Sequence, residues 1–142
     1  MPGVNPYLTF NDNAEEAFNF YKSIFGGEFI ALMRFKDMDC GMPIPESEQQ
    51  KVMHVSLPIG KDTILMASDT PASMGKVNPG NNFSIAINTD SKVQADEFYK
   101  GLSTGGQATM PLQDSFWGAY FGMCTDKFGI NWMVSYDYNQ NK

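Results

Sequence analysis

The chain has 142 residues, of which 42% are hydrophobic and 13% aromatic, enough apolar material for the core of one average domain. Its 10 basic and 16 acidic residues give a net charge of −6, which argues against nucleic acid or an anionic membrane as partner, because both demand a basic surface. No run approaches the roughly 18 apolar residues of a membrane span. Because no secretory signal opens the sequence and the two cysteines, Cys40 and Cys124, form no disulfide framework, we expect a cytoplasmic protein.

The first half of the sequence begins with a short predicted strand at residues 7–11. A helix follows it, since Asn13 with Glu16 three residues later is typical of a helix start and Gly26–Gly27 of a helix end. Apolar residues recur through this segment at helical spacing. Three further strands are predicted at 28–35, 51–59 and 63–68.

The second half repeats this order. A strand is predicted at 84–88, and the helix after it starts at Ser91 with Gln94 as its reciprocal partner and ends at Gly105–Gly106. Strands are predicted at 108–112, 116–123 and 130–136. Two long loops rich in Pro, Gly, Ser and Asp, at 36–50 and 70–81, are equally consistent with binding loops and with plain surface.

Three matches in the same order indicate an internal repeat. FYK at 20–22 matches FYK at 98–100, LMAS at 65–68 matches WMVS at 132–135, and the opening strands both end in asparagine. The sequence therefore predicts an α+β fold in one domain, residues 1–142, with two tandem βαβββ modules at about 3–69 and 81–137. Two such mixed sheets side by side, with the helices outside, would enclose a cleft.

Several motifs resemble the PhnB-like branch of the vicinal oxygen chelate superfamily, which includes glyoxalase I, bleomycin-resistance proteins and extradiol dioxygenases. They are NPYLTF at 5–10, EAFNFY at 16–21, MH at 53–54, LMASD at 65–69 and DKFGINWM at 126–133. The resemblance covers nearly the whole chain. Proteins of this kind sometimes carry a demethylubiquinone methyltransferase label, but the sequence has no Gly-rich strand-to-helix loop that would hold a nucleotide-like cofactor.

The resemblance also implies where a metal would be held, on the first and last strand of each module. The repeat places these positions at Tyr7, Ser84, Met66 and Met133. Two hydroxyls and two thioethers suit divalent cations poorly, because such ions favour carboxylates and imidazoles. We therefore expect no cofactor and no metal at these four residues, while a divalent ion at other ligands stays open.

His54 is the one histidine of the chain and lies in a predicted strand next to the strand with Met66. It is a candidate general base or ligand-binding group, and equally a hydrogen-bonded structural histidine. Asp69 could pair with it across strands or cap its own turn. Cys40 is expected to be an ordinary loop residue and Cys124 part of the core.

Aromatic and methionine side chains are candidates to line an apolar, adaptable pocket. For each of them an ordinary place in the core is the alternative. Together with Ser84, the predicted substrate-binding residues are Tyr7, Met66, Trp117, Tyr120, Trp132 and Met133.

Three functions are compatible with these features. The first is a metal-independent protein that binds a small molecule in the cleft, and the second is a lyase, isomerase or dioxygenase that uses His54 or an unusual metal site. The third is a structural or regulatory dimer without a ligand. The resemblance implies a homodimer in each case, and exposed apolar sheet edges favour it as well.

Overall fold

The computed structural model describes residues 3–37 and 44–139, so the prediction for Cys40 lies outside the described residues. The chain divides between Asn78 and Pro79 into two compact units. The first unit contains β1 (Tyr7–Phe10), α1 (Ala14–Phe25), β2 (Ala31–Arg34), β3 (Val52–Ile59) and β4 (Thr63–Asp69). The second contains β5 (Ile85–Asn88), α2 (Lys92–Ser103), β6 (Gln107–Asp114), β7 (Ala119–Thr125) and β8 (Asn131–Asp137).

Each unit forms a four-stranded mixed sheet with the same topology. The strand orders are β1-β4-β3-β2 and β5-β8-β7-β6, in which β1 and β4, and likewise β5 and β8, are parallel while the other neighbours are antiparallel. This confirms the predicted α+β class and the two tandem βαβββ modules. Over the two described ranges, no helix is long and apolar enough to cross a membrane.

The core of the first unit lies between α1 and one face of its sheet. Phe18 and Tyr21 of α1 are fully buried, and their rings meet edge to face with centroids 5.5 Å apart. Alternation along the strands supplies the other half of this core. The buried strand residues include Leu8, Phe10, Val55, Leu57, Leu65 and Ala67.

The second unit depends on a close approach between α2 and its sheet. Trp132 and Val134 are fully buried on the face that α2 covers. A Cβ atom on Gly122 would lie 2.9 Å from Cε1 of Tyr99, so the glycine gives the Tyr99 ring room to cross the strand. The Tyr99 hydroxyl lies 2.9 Å from the carbonyl oxygen of Met110 and 3.1 Å from that of Met123, and donates to both. Tyr99 therefore fastens β6 to β7.

The helix starts agree with the sequence in α2 and differ in α1. Ser91 Oγ accepts from the Gln94 amide at 3.0 Å, as predicted. Asn13, in contrast, makes no side-chain cap bond. The buried Asp69 takes its place, because Oδ1 accepts from the Ala14 amide at 2.9 Å and Oδ2 from the Val52 amide at 2.8 Å. Asp69 thus joins the end of β4 to the starts of α1 and β3, and faces away from His54.

Two strands are shorter in the structure than the sequence predicts. The predicted strand 116–123 begins only at Ala119, because residues 115–118 form a turn closed by bonds between Ser115 and Ala119, with Gly118 at φ 90°. That turn puts Trp117 in a loop. β2 is also shorter than the predicted 28–35.

Replacing Asp69 with Asn should lower the free energy of unfolding by about 1–3 kcal/mol, because the amide has one accepting oxygen for two buried N–H donors. Burial raises the pKa of Asp69, while the bonds from Val52 and Ala14 lower it. Urea denaturation measures the change. Asp62→Asn, in the exposed β3–β4 turn, is the matched control. Equal stability of both variants would contradict this role.

Candidate functional site

The face of the first sheet that points away from α1 carries the predicted polar candidates. Tyr7 pairs with Met66 across β1 and β4, and Met66 pairs with Ser56 across β4 and β3. His54 lies two residues before Ser56, opposite Met33 of β2. Because directly paired residues project to the same side of a sheet, these five side chains share one face.

A hydrogen bond joins the side chains of Tyr7 and His54 on this face. The Tyr7 hydroxyl oxygen lies 3.4 Å from Nδ1 of His54, at the long end of hydrogen-bonding distances, and the ring centroids are 5.9 Å apart. Tyr7 is 50% exposed and His54 is half-buried. The structure therefore brings together a phenol and an imidazole that a ligand can reach.

The strand register corrects the equivalence derived from the two asparagines. Tyr7 pairs with Met66 in the first unit, whereas Met133 pairs with Ala86 in the second. Ser84 lies two residues earlier, before β5 begins. The opening strands are thus offset by two residues more than the asparagine match indicates, and the counterpart of Tyr7 is Ala86.

The residues at the metal positions that the resemblance implies do not fit a divalent ion. After the correction they are Tyr7, Met66, Ala86 and Met133, which offer one phenol and two thioethers but no carboxylate or imidazole. Within residues 3–37 and 44–139, no three His, Cys, Asp or Glu side chains come together.

A groove in the second unit contains the other exposed candidate. It lies where β6, the following turn and β7 meet, and has a volume of about 270 Å³. Trp117 is 55% exposed and packs edge to face on Phe121, with ring centroids 5.5 Å apart. Phe116 is 97% exposed and its ring lies 5.0 Å from that of Trp117. The residues that line this aromatic groove are Met110, Gln113, Asp114, Ser115, Phe116, Trp117 and Phe121.

Tyr120 lies on the opposite face of the sheet from this groove. Its hydroxyl donates to Oδ1 of Asp96 in α2 at 2.6 Å, and the Lys92 ammonium lies 4.6 Å from its ring centroid. The bond to Asp96 and partial burial raise the pKa of Tyr120 to about 12. Tyr120 therefore holds α2 against β7.

Trp132 is a core residue. It is fully buried, and its indole Nε1 donates to Oδ2 of Asp126 at 2.8 Å. Oδ1 of Asp126 accepts from the amides of Phe128 and Ile130, so one carboxylate shapes the β7–β8 turn and fixes the indole. This is the structural reason for the DKFGINWM motif. Cys124, buried as predicted, has its thiol pKa raised to about 11 by burial and by Asp126.

Met133 does lie on the face that α2 leaves uncovered, and the structure adds neighbours that the sequence analysis missed. Met123 pairs with Met133, and Met110 pairs with Met123. Phe121 lies on this face too, two residues from Met123. Alternation along β7 was a signal for Phe121 and Met123, but the predicted strand start at residue 116 obscured the turn that brings Trp117 over Phe121.

The chain matches known proteins over nearly its whole length. Residues 2–135 match the family model described as 3-demethylubiquinone-9 3-methyltransferase. Protein YjdN of Escherichia coli K12 is 26% identical over 95% of both chains. The crystal structure of protein PA1353 from Pseudomonas aeruginosa is 39% identical, with a TM-score of 0.84, and the match covers 96% of this chain and 98% of that one.

More distant structures share the fold. A PhnB protein from Bacillus cereus is 24% identical with a TM-score of 0.73, covering 95% of this chain and 99% of that one. A glyoxalase/bleomycin resistance protein from Albidiferax ferrireducens T118 is 16% identical with a TM-score of 0.64, covering 94% and 97%. The chain therefore belongs to the family described as 3-demethylubiquinone-9 3-methyltransferase, and it shares its fold with a PhnB protein and with a glyoxalase/bleomycin resistance protein.

Proposed function

We propose that this protein binds a small, flat aromatic molecule, and that the aromatic groove of the second unit takes part in holding it. The main support is the arrangement of three aromatic rings at that groove, those of Phe116, Trp117 and Phe121, of which the first two are largely exposed. Phe116 and Trp117 expose apolar area that costs free energy in water unless something covers it. A volume of about 270 Å³ suits part of a small ligand.

The overall charge of the protein favours a neutral or cationic ligand over an anion. The net charge of −6 repels anions that approach from solution. Trp117 and Phe121 add ring faces that attract a cation.

The residues do not support methyl transfer as the activity, despite the description of the family. A methyl donor with a nucleoside group is commonly held at a glycine-rich turn between a strand and a helix. The connection from β1 to α1 is Asn11-Asp12-Asn13 and contains no glycine. Each sheet here is mixed, with a single parallel pair, rather than doubly wound.

The pair of Tyr7 and His54 favours a second candidate, a lyase, isomerase or dioxygenase. An imidazole can exchange a proton with a ligand, and a phenol 3.4 Å away can orient it. His54 would be the acid–base group and Tyr7 a positioning residue.

Trp117→Ala should weaken binding of the planar aromatic cation proflavine about tenfold, because stacking on an aromatic side chain contributes about 1–3 kcal/mol. Isothermal titration calorimetry measures the affinity. Phe83→Ala is the matched control, since Phe83 is 58% exposed in the same unit but lies outside the groove lining.

Tryptophan fluorescence gives an independent readout, because Trp117 is exposed and the other tryptophan, Trp132, is buried. Proflavine should strongly quench the tryptophan fluorescence of the parent protein and only weakly quench that of Trp117→Phe. Equal affinity of Trp117→Ala and the parent would refute binding at the aromatic groove.

His54→Ala should change the free energy of unfolding by less than about 0.5 kcal/mol, because the imidazole is half-buried and its hydrogen bond to Tyr7 is long. Urea denaturation measures this, with Tyr7→Phe as the control that removes the hydroxyl alone. A loss of about 1–3 kcal/mol would instead show a structural histidine and argue against the second candidate.

Association with a second copy of the chain stays a prediction. Nearly all residues of β6, an edge strand, are exposed, and Phe116 lies just beyond its end. Light scattering at micromolar concentration should give twice the chain mass of 15.8 kDa. A mass of one chain would contradict the prediction.

A further inference from the structure

Three methionines lie side by side across the second sheet. Met123 of β7 pairs with Met133 of β8 on one side and with Met110 of β6 on the other. Side chains of directly paired residues project to the same face, with Cβ atoms about 4.5–5.5 Å apart. Met110 also lines the same groove as Phe121, which places it on this face despite the register shifts beside it. The three methionine side chains therefore form a row, with Met123 in the middle.

This methionine row is not part of the core that α2 covers. The core residues Trp132 and Val134 alternate with Met133 along β8 and are fully buried, whereas Met133 is only half-buried. Met123 is half-buried and Met110 is 40% exposed. Methionine side chains that are partly exposed in this way are available to a ligand.

The backbone beneath the row is held in place. The pairing of β6 with β7 shifts register on both sides of Met110, which would loosen an edge strand. The Tyr99 hydroxyl counters this, because it bonds the carbonyl oxygens of both Met110 and Met123. Two of the three methionines are thus fixed to one anchor at the backbone while their side chains stay flexible.

The donor chemistry selects a particular class of ion. Thioethers are soft ligands that prefer soft monovalent cations such as Cu(I), whereas Mg²⁺, Ca²⁺ and Mn²⁺ prefer carboxylates, carbonyls and water. β6 and β8, the two neighbours of β7, are about 9.6 Å apart, twice the spacing of about 4.8 Å between adjacent strands. A methionine side chain has three rotatable bonds, so the outer sulfur atoms can lean toward the middle one.

We propose that the methionine row binds one soft monovalent cation, Cu(I) or Ag(I), through the thioethers of Met110, Met123 and Met133. The ion binds without a change in oxidation state. Phe121, two residues from Met123 on the same face, places a ring beside the ion. This site is separate from that of the proposed aromatic ligand, although Met110 and Phe121 border both.

Silver(I) is the probe, because it needs no reductant. The protein carries Cys40→Ser and Cys124→Ala, since thiols bind soft metals more strongly than thioethers do. Its methionines are labelled with ¹³C at the methyl group, and each of the ten signals is assigned by a Met→Leu variant, which conserves volume. One equivalent of silver should shift the signals of Met110, Met123 and Met133 together.

Met123→Leu should abolish these shifts and the rise in melting temperature that silver causes in the parent. Met74→Leu, 76% exposed outside the row, is the matched control and should bind silver like the parent. Shifts that appear instead at Met33 and Met66, or scattered over all methionines, would overturn the proposal, as would no shift at one equivalent.

Two further measurements separate this site from the aromatic groove. Trp117→Ala should retain silver binding even where it loses proflavine, and Met123→Leu should retain proflavine even where it loses silver. Loss of silver binding in Trp117→Ala would show that the ion does not sit on the methionine row alone, and would overturn the three-thioether site.

Discussion

One constraint governs each unit. Side chains alternate between the two faces of the sheet, and a single helix packs on one of those faces. One helix can cover only one face of a four-stranded sheet. Residues of one parity must therefore be apolar and close-packed, as Leu65 and Ala67 are against α1 and Trp132 and Val134 are against α2. Residues of the other parity are released from that demand. Tyr7, His54 and Met123 are among them, and Trp117 lies in the turn beside them.

The two free faces have diverged although the two folds match. The first presents polar groups, with the Tyr7 hydroxyl against the His54 imidazole. The second presents methionines and aromatic rings around Met123 and Phe121. The helices have kept the same FYK sequence, but Tyr21 is fully buried whereas Tyr99 reaches past Gly122 to bond β6 and β7. An anchor of this kind gives the second sheet a firm edge strand despite its register shifts.

Local signals in the sequence were enough to predict the elements and the repeat, because helix starts, glycine stops and alternation act over a few residues. Ser91 and Gln94 show this for α2. What failed depended on groups distant in sequence. The cap of α1 comes from Asp69, which is 55 residues from Ala14, and no local pattern distinguishes it from Asn13.

The same limit explains the site. The sequence predicted Trp132 as a pocket residue, because tryptophan suits both pockets and cores. In the structure Trp132 points to the face opposite that of Met133 and bonds Asp126, which places it in the core. Ser84 was misplaced because an alignment of two asparagines says nothing of pairing across strands, whereas the pairing of Ala86 with Met133 does.

These placements determine which ligand atoms each sheet presents on the face that its helix does not cover. A position that faces away from the helix can change its chemistry without disturbing the core. Where a carboxylate or imidazole is replaced by methionine at such a position, the site loses hard divalent ions but keeps a lone pair that soft cations and polarizable rings accept. Met133 is one of these positions, and its neighbours across the sheet are again methionines. The second unit therefore presents soft donors where the first presents a phenol and an imidazole, although the two topologies are the same, which is why the fold alone does not reveal the function.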